Sequence, residues 1–118
     1  MTIENLIGNY RLSGTNQDNS GNTYTGTLKL SIDSNNRILA EWIINKEQKQ
    51  KGIGFFKDDI LVINFSYWGE DRLKYYGVVV YRCLNNNILD GFWSEDLGDP
   101  NFLGTERCFK ADSFQLLD

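Results

Sequence analysis

The fold is decided by residues 23–45, which read TYTGTLKLSIDSNNRILAEWIIN. An alternating run of apolar and polar residues, about 23–32, and a largely apolar run, about 37–45, flank a turn-forming segment rich in Asn and Asp. A period of two places successive side chains on opposite faces of a strand, and Asn tolerates the positive φ of tight turns. The stretch therefore predicts a β-hairpin with one buried face.

The same pattern recurs along the whole chain. Short runs rich in β-branched and aromatic residues alternate with Asn- and Gly-containing turns, which predicts eight strands at about 7–14, 23–32, 37–45, 51–57, 60–67, 74–83, 87–94 and 102–109. Short connections favour antiparallel neighbours, and closure of the meander removes its edges. We therefore predict an all-β, eight-stranded antiparallel up-and-down β-barrel, with a two-sheet sandwich as the alternative. Helix is expected only as a turn at 2–7 that plugs the barrel and as a short helix or docked tail at 111–117.

Length and charge limit the classes of protein to consider. The 118 residues suit one domain, residues 1–118, and 41% hydrophobic with 24% charged residues is typical of a soluble folded protein. A net charge of −4 with no basic cluster argues against nucleic acid as a partner. No apolar run approaches the roughly 18 residues of a membrane helix, and the N-terminus has no signal-peptide pattern. We expect a cytoplasmic protein with no membrane contact.

The chain has no histidine and two cysteines. The lack of histidine excludes His general bases, Ser-His and Cys-His nucleophile pairs, and His-ligated metal sites, so we expect no metal and no cofactor, and an enzyme is the least favoured class. Cys83 and Cys108 fall on strands two apart in the predicted order, which are about 9–10 Å apart. Because a disulfide needs Cα atoms within about 7 Å, free thiols are expected.

Two short motifs carry a resemblance to known families. Gly8-Asn9-Tyr10, at the start of the first strand, resembles the Gly-x-Trp signature of calycin barrels, the lipocalin- and avidin-like proteins, with Tyr in the Trp place. Gly91-Phe92-Trp93 and Leu103-Gly104-Thr105-Glu106 also resemble small uncharacterised bacterial barrel proteins. The resemblance implies a closed barrel in which Arg107 packs across the Tyr10 ring, and it transfers no activity.

Aromatic residues on the strands are the first candidates for a site. An eight-stranded barrel is filled by side chains or holds one small ligand. We expect a small apolar or aromatic ligand in or at the mouth of the barrel; the alternative is a protein-interaction module or assembly subunit whose barrel is filled. Glu106 joins the candidates because it shares the inward face of the last strand, where a carboxylate is costly unless paired. The predicted ligand-binding residues are Trp42, Tyr75, Tyr81, Trp93 and Glu106.

The fifth and sixth predicted strands are apolar on both faces, whereas a strand with one face in water normally has polar residues on that face. We expect a homo-oligomer, a protein partner, or the chain's own tail with Phe114, Leu116 and Leu117 to cover their outer face. A dimer of dimers, as in avidin-like barrels, is one such homo-oligomer. The predicted interface residues are Leu61, Ile63, Phe65, Tyr76, Val78 and Val80; the opposite parity leaves Ile60, Val62, Val79 and Tyr81 instead.

Overall fold

The eight strands form one closed barrel. The structure, a computed structural model, describes residues 1–111. A 3-10 turn at Ile3–Leu6 precedes β1 (Gly8–Thr15), β2 (Thr23–Ile32), β3 (Ile38–Ile44), β4 (Gln48–Lys57), β5 (Ile60–Trp68), β6 (Lys74–Asn85), β7 (Ile88–Glu95) and β8 (Gly104–Ala111). Each strand pairs antiparallel with the next, and β1 also pairs with β8. This confirms the predicted barrel and excludes the sandwich. The predicted tail, including Phe114, Leu116 and Leu117, lies outside the described residues.

The fourth strand begins earlier than predicted. Asn45 and Lys46 both have positive φ, as a two-residue primed turn requires, so β4 starts at Gln48 rather than near residue 51. Along the first part of β4 the glutamines point inward and the lysines point outward, because the strand alternates. The alternation is hidden in the sequence, since both faces are polar there. This extension places Gln48 and Gln50 inside the barrel.

The N-terminal turn plugs one end of the barrel, as predicted. Leu6 is buried in the core, and the hydroxyl of Tyr10 on β1 donates to the Leu6 carbonyl oxygen at 2.7 Å. Leu30, Ile38 and Leu89 belong to the same continuous hydrophobic core. The loops between β2 and β3, β4 and β5, and β6 and β7 lie at this plugged end. The opposite end carries the other four loops and is where the core stops.

The predicted contact between Tyr10 and Arg107 is wrong. Tyr10 points into the barrel, whereas Arg107 pairs with Ser13, points outward, and binds Asp90 with Nε 3.1 Å from the carboxylate. Lys110 is the residue opposite Tyr10 in the β1–β8 register. Its Nζ lies 5.8 Å from the centroid of the Tyr10 ring and 2.5 Å from the Asn5 carbonyl oxygen. The cation that closes this end is therefore three residues further along β8, because strand parity excludes Arg107 from the interior.

The orientation predicted for β5 is also wrong. Leu61, Ile63 and Phe65, expected at an outer interface, point inward and are buried. Asn64 and Ser66 occupy the alternate positions and face outward, so the polar residues of the strand decide its parity. On β6 the predicted outward residues do point outward: Tyr76, Val78 and Val80.

The two cysteines are free and buried, which confirms the expected thiols. Leu89 on β7 is the register partner of Cys83 on β6 and of Cys108 on β8, so a full strand separates the sulfurs. Burial, with a smaller contribution from the Asp59 carboxylate, raises the pKa of the Cys83 thiol to about 11. Both thiols are therefore protonated and inert at neutral pH.

Candidate functional site

A cavity of about 250 Å³ opens at the end of the barrel opposite the N-terminal plug. It is lined by side chains from all eight strands or their ends, and six of the lining residues are aromatic: Tyr24, Trp42, Phe65, Tyr67, Tyr81 and Trp93. The remaining lining consists of two aliphatic and five polar residues: Ile44, Val79, Asn16, Gln48, Gln50, Glu95 and Glu106. The barrel is thus filled at one end and hollow at the other.

Glu106 lies in the middle of a row of paired residues that crosses five neighbouring strands. Its register partners on the two adjoining strands are both glycines, Gly14 on β1 and Gly91 on β7. The next residue in the row is a tyrosine on each side, Tyr24 on β2 and Tyr81 on β6. A Cβ at Gly14 would collide with the Tyr24 hydroxyl, and a Cβ at Gly91 would lie 2.8 Å from Cδ1 of Tyr81. The two glycines therefore let both rings lie across the sheet and reach the carboxylate.

Both tyrosines donate to Glu106, one to each oxygen. Tyr24 donates to Oε1 at 2.7 Å, and Tyr81 donates to Oε2. Each hydroxyl in turn accepts from an indole N–H, Tyr24 from Trp93 at 3.0 Å and Tyr81 from Trp42 at 3.3 Å. Because an indole nitrogen only donates, both tyrosine hydroxyls accept from tryptophan, and each tyrosine then donates its own proton to Glu106.

Burial dominates the electrostatics of this network. It raises the pKa of Glu106, and the hydrogen bonds from Tyr81, Tyr24 and Cys108 oppose that rise. The Cys108 thiol lies 3.7 Å from Oε2. Burial also raises the pKa of Tyr24 and Tyr81 far above the usual range, so both stay protonated donors. Among the described residues that line the cavity there is no Lys or Arg to neutralise the carboxylate.

The aromatic walls hold one another edge to face. Trp42 and Phe65 have ring centroids 6.1 Å apart at 69°, and Phe65 and Trp93 are 6.2 Å apart at 82°. Tyr24 meets Trp93 at 6.4 Å and 71°. Such T-shaped pairs are the favoured arrangement of aromatic rings, and each ring is also fixed by packing or a hydrogen bond. The cavity is therefore preformed, with ring faces and edges exposed to its interior.

The rim of the cavity carries a second acid. Tyr67, which stacks on Tyr75 with centroids 5.4 Å apart, donates to the Glu95 carboxylate. Gln17, in the loop between β1 and β2, ties the rim together: its Oε1 accepts from the Glu95 backbone N–H at 2.9 Å, and its Nε2 donates to Ser94 Oγ at 2.9 Å. The mouth is thus held by side-chain contacts across the loops.

The structure brings together four of the five predicted ligand-binding residues. Trp42, Tyr81, Trp93 and Glu106 line one cavity, whereas Tyr75 lies outside the lining and stacks on Tyr67, which belongs to it. The sequence interpretation missed Tyr24, Phe65, Tyr67 and Glu95, among others. Tyr24 shares the inward face of β2 with Leu28 and Leu30, so alternation alone was sufficient to include it. Phe65 and Tyr67 were missed because β5 was given the wrong parity.

Comparison with known proteins shows the fold alone. No protein-family model matches the chain, and no curated protein matches it in sequence. A redesigned β-barrel, b11L5F_LGL, is similar with a TM-score of 0.72 and 16% identity, covering 93% of this chain and 95% of its own. Two further redesigned β-barrels, mFAP1 and mFAP0, both bound to DFHBI, match with TM-scores of 0.66 and 0.68. They are 21% and 19% identical and cover 92% and 90% of this chain, and 97% and 99% of their own.

Two further properties of residues 1–111 concern membranes and metal ions. None of the helical segments described there has the length and apolar character needed to cross a bilayer. Three or more Cys, Asp or Glu side chains do not gather anywhere in that part of the chain in a way that would hold a metal ion.

Proposed function

We propose that the chain is a small-molecule binding barrel that holds a small aromatic ligand in the open end. The observation that carries the proposal is the preformed cavity of about 250 Å³ between edge-to-face aromatic rings, in a barrel whose other end is filled. This volume is just below the roughly 300–1,000 Å³ of typical drug-sized pockets, so a ligand of one or two fused rings fits. The mFAP1 and mFAP0 barrels, which bind DFHBI, provide a precedent for a ligand in a barrel of this shape.

The apolar part of such a contact gives only weak binding. An indole-sized ring buries about 150–200 Å², which is worth about 4–5 kcal/mol at roughly 25 cal/mol per Å². The loss of translational and rotational freedom offsets much of this gain, so a neutral ring is expected to bind weakly. Affinity and specificity therefore depend on the polar groups of the cavity, Glu106 with its two tyrosines and Glu95 at the rim.

Binding of a neutral two-ring probe tests this function. We expect 3-ethylindole to bind the wild-type chain in isothermal titration calorimetry and to bind Val79→Phe at least about tenfold more weakly, because Val79 lines the cavity. Val78→Phe is the matched control, since Val78 is the next residue on β6 and points outward. Equal affinity for both variants and the wild type would place the probe elsewhere and overturn the proposal.

The resemblance to calycin barrels concerns the plugged end of the barrel. Gly8-Asn9-Tyr10 leads into β1, and Lys110 on the last strand packs on the Tyr10 ring, which is the arrangement that the resemblance implies with a different cation. We propose on this basis that the chain is a calycin-type barrel. The proposal concerns the closed end and is independent of the ligand.

A second candidate function is self-association through the outer face. Phe55, Val62, Val80 and Phe92 are direct register partners across β4 to β7, and all four point outward. The two phenylalanines at the ends of the row are 59% and 42% exposed. The row has the same composition in both directions, so a twofold contact places each Phe55 over Phe92 of a second copy, as an isologous interface requires.

A further inference from the structure

The charge balance of the cavity is one-sided. Glu106 at the floor is 6% exposed and Glu95 stands at the rim, while the described residues that line the cavity include no Lys or Arg. Lys110, on the inward side of β8, lies at the plugged end with Asn5 and Tyr10. A carboxylate taken out of water without a cation is costly, so this arrangement is expected to attract a positive charge from outside the chain.

The direction of the hydrogen bonds adds a second argument. Trp42 and Trp93 donate to the tyrosine oxygens, and the tyrosines donate to Glu106, so both carboxylate oxygens act as acceptors. This pattern suits the ionised form, because a protonated Glu106 would have to donate into a ring of donors. A carboxylate oxygen accepts about two hydrogen bonds. Oε1 receives only the one from Tyr24, so it keeps room for a further donor.

We propose that the ligand of this cavity is an aromatic amine in its protonated form, with the ammonium group donating to Glu106 and the ring held among Trp42, Phe65 and Trp93. The proposal rests on the function proposed above and specifies its ligand class. The aromatic walls support it, because the negative faces of the rings attract a cation. A neutral or anionic ligand gains no such attraction. A divalent metal does not fit, since it needs several oxygen ligands where the cavity floor provides one carboxylate.

Three indoles that differ only in side-chain charge test the proposal: tryptamine, 3-ethylindole and indole-3-propionate, which are a cation, a neutral molecule and an anion near pH 7.5. Isothermal titration calorimetry on the full chain is expected to show tryptamine binding at least about tenfold more tightly than 3-ethylindole, and the propionate more weakly still. Equal affinity of tryptamine and 3-ethylindole would overturn the amine proposal and leave the binding function standing. Failure of all three to bind would overturn both.

Variants assign the selectivity to one side chain. In Glu106→Gln the ratio of tryptamine affinity to 3-ethylindole affinity is expected to fall to about threefold or less. Glu41→Gln is the control, because Glu41 is exposed on the outer face of β3, and it should keep the full preference. An unchanged preference in Glu106→Gln would overturn the role of Glu106.

A pH titration of the wild-type chain avoids any question of folding in the variant. Burial raises the pKa of Glu106, so the carboxylate takes up its proton above the ordinary value of 4.5. Tyr24, Tyr81 and the Cys108 thiol face this group, and all three stay protonated throughout the range because their pKa values are raised. Tryptamine affinity should therefore fall as the pH is lowered from about 8 to 4.5, while 3-ethylindole affinity changes little. Tryptamine affinity that is independent of pH would contradict the proposal.

Discussion

Tyr24 and Tyr81 stand on strands four apart in the barrel and donate to the two oxygens of the same carboxylate, Glu106. Each crosses one glycine-bearing strand to do so, β1 at Gly14 and β7 at Gly91. The floor of the cavity is thus built by a row of five residues in which one glycine separates each tyrosine from the central glutamate. This relationship explains why a carboxylate is accommodated inside a barrel of this size.

The glycines of this row are expected to be intolerant of a methyl group. Gly14→Ala places a Cβ against the Tyr24 ring and the Thr105 carbonyl oxygen, and Gly91→Ala places one against Val80 and Tyr81. Each should lower the free energy of unfolding by about 1–3 kcal/mol, measured by urea denaturation. Ser13→Ala, an exposed neighbour on β1, should change it by less than about 0.5 kcal/mol. Stability of Gly14→Ala equal to that of Ser13→Ala would refute the close approach.

Closure of the plugged end is expected to depend on Lys110 and not on Arg107. Lys110→Ala removes the cation over the Tyr10 ring and the hydrogen bond to Asn5, so a loss of about 1–2 kcal/mol in unfolding free energy is expected. Arg107→Ala removes a surface ion pair with Asp90, which should cost less than about 0.5 kcal/mol. The two variants are compared by guanidinium denaturation under identical conditions. A larger loss of unfolding free energy in Arg107→Ala than in Lys110→Ala would contradict this account and favour the Tyr10–Arg107 contact that the resemblance implied.

Alternation predicts most of this fold but leaves parity open where both faces are apolar. In the hairpin at 23–45 the parity of β2 is clear because one of its faces is polar, whereas β3 carries Leu39 and Ile43 beside Glu41 on its outward face. On β5 the choice between Leu61-Ile63-Phe65 and Ile60-Val62 depended on Asn64 and Ser66, which face outward. The wrong choice there moved three core residues to a supposed interface and hid Phe65 and Tyr67 from the list of site residues.

The site is less predictable than the fold because it depends on register. Trp42, Tyr81, Trp93 and Glu106 follow from residue type and inward parity. The convergence of Tyr24 and Tyr81 on Glu106 does not follow from residue type and parity. It requires Gly14 on β1 and Gly91 on β7 to be the register partners of Glu106. Register between strands distant in sequence comes from the packing of the whole barrel, which one sequence does not display.

Self-association through the outward-facing row of Phe55, Val62, Val80 and Phe92 is testable by substitution. Phe92→Lys should convert a homodimer into a monomer without loss of the β-sheet circular dichroism signal, because Phe92 is exposed and the substitution puts a charge in the contact. Phe109→Lys is the control, since Phe109 is similarly exposed on β8 but does not belong to the row. Light scattering at high micromolar concentration gives the mass of each. A wild-type monomer at that concentration would remove this candidate function.

The thiols should be hidden in the native chain. Because Cys83 and Cys108 are buried and burial raises the pKa of both, neither should react with a thiol reagent near pH 8 until denaturant is added. Under denaturing, non-reducing conditions both should then react. Rapid reaction of either thiol in the native chain would contradict its burial, and fewer than two reactive thiols after denaturation would contradict the free state.

The most direct test of the binding cavity follows the three indole N–H signals of the chain by two-dimensional nuclear magnetic resonance during titration with 3-ethylindole. Trp42 and Trp93 line the cavity, whereas Trp68 is 66% exposed and does not, so it serves as the internal control. We predict that the Trp42 and Trp93 signals shift together with one dissociation constant while the Trp68 signal stays in place. A shift of Trp68 alone, or no shift of any of the three at saturating probe, would contradict the cavity as the binding site.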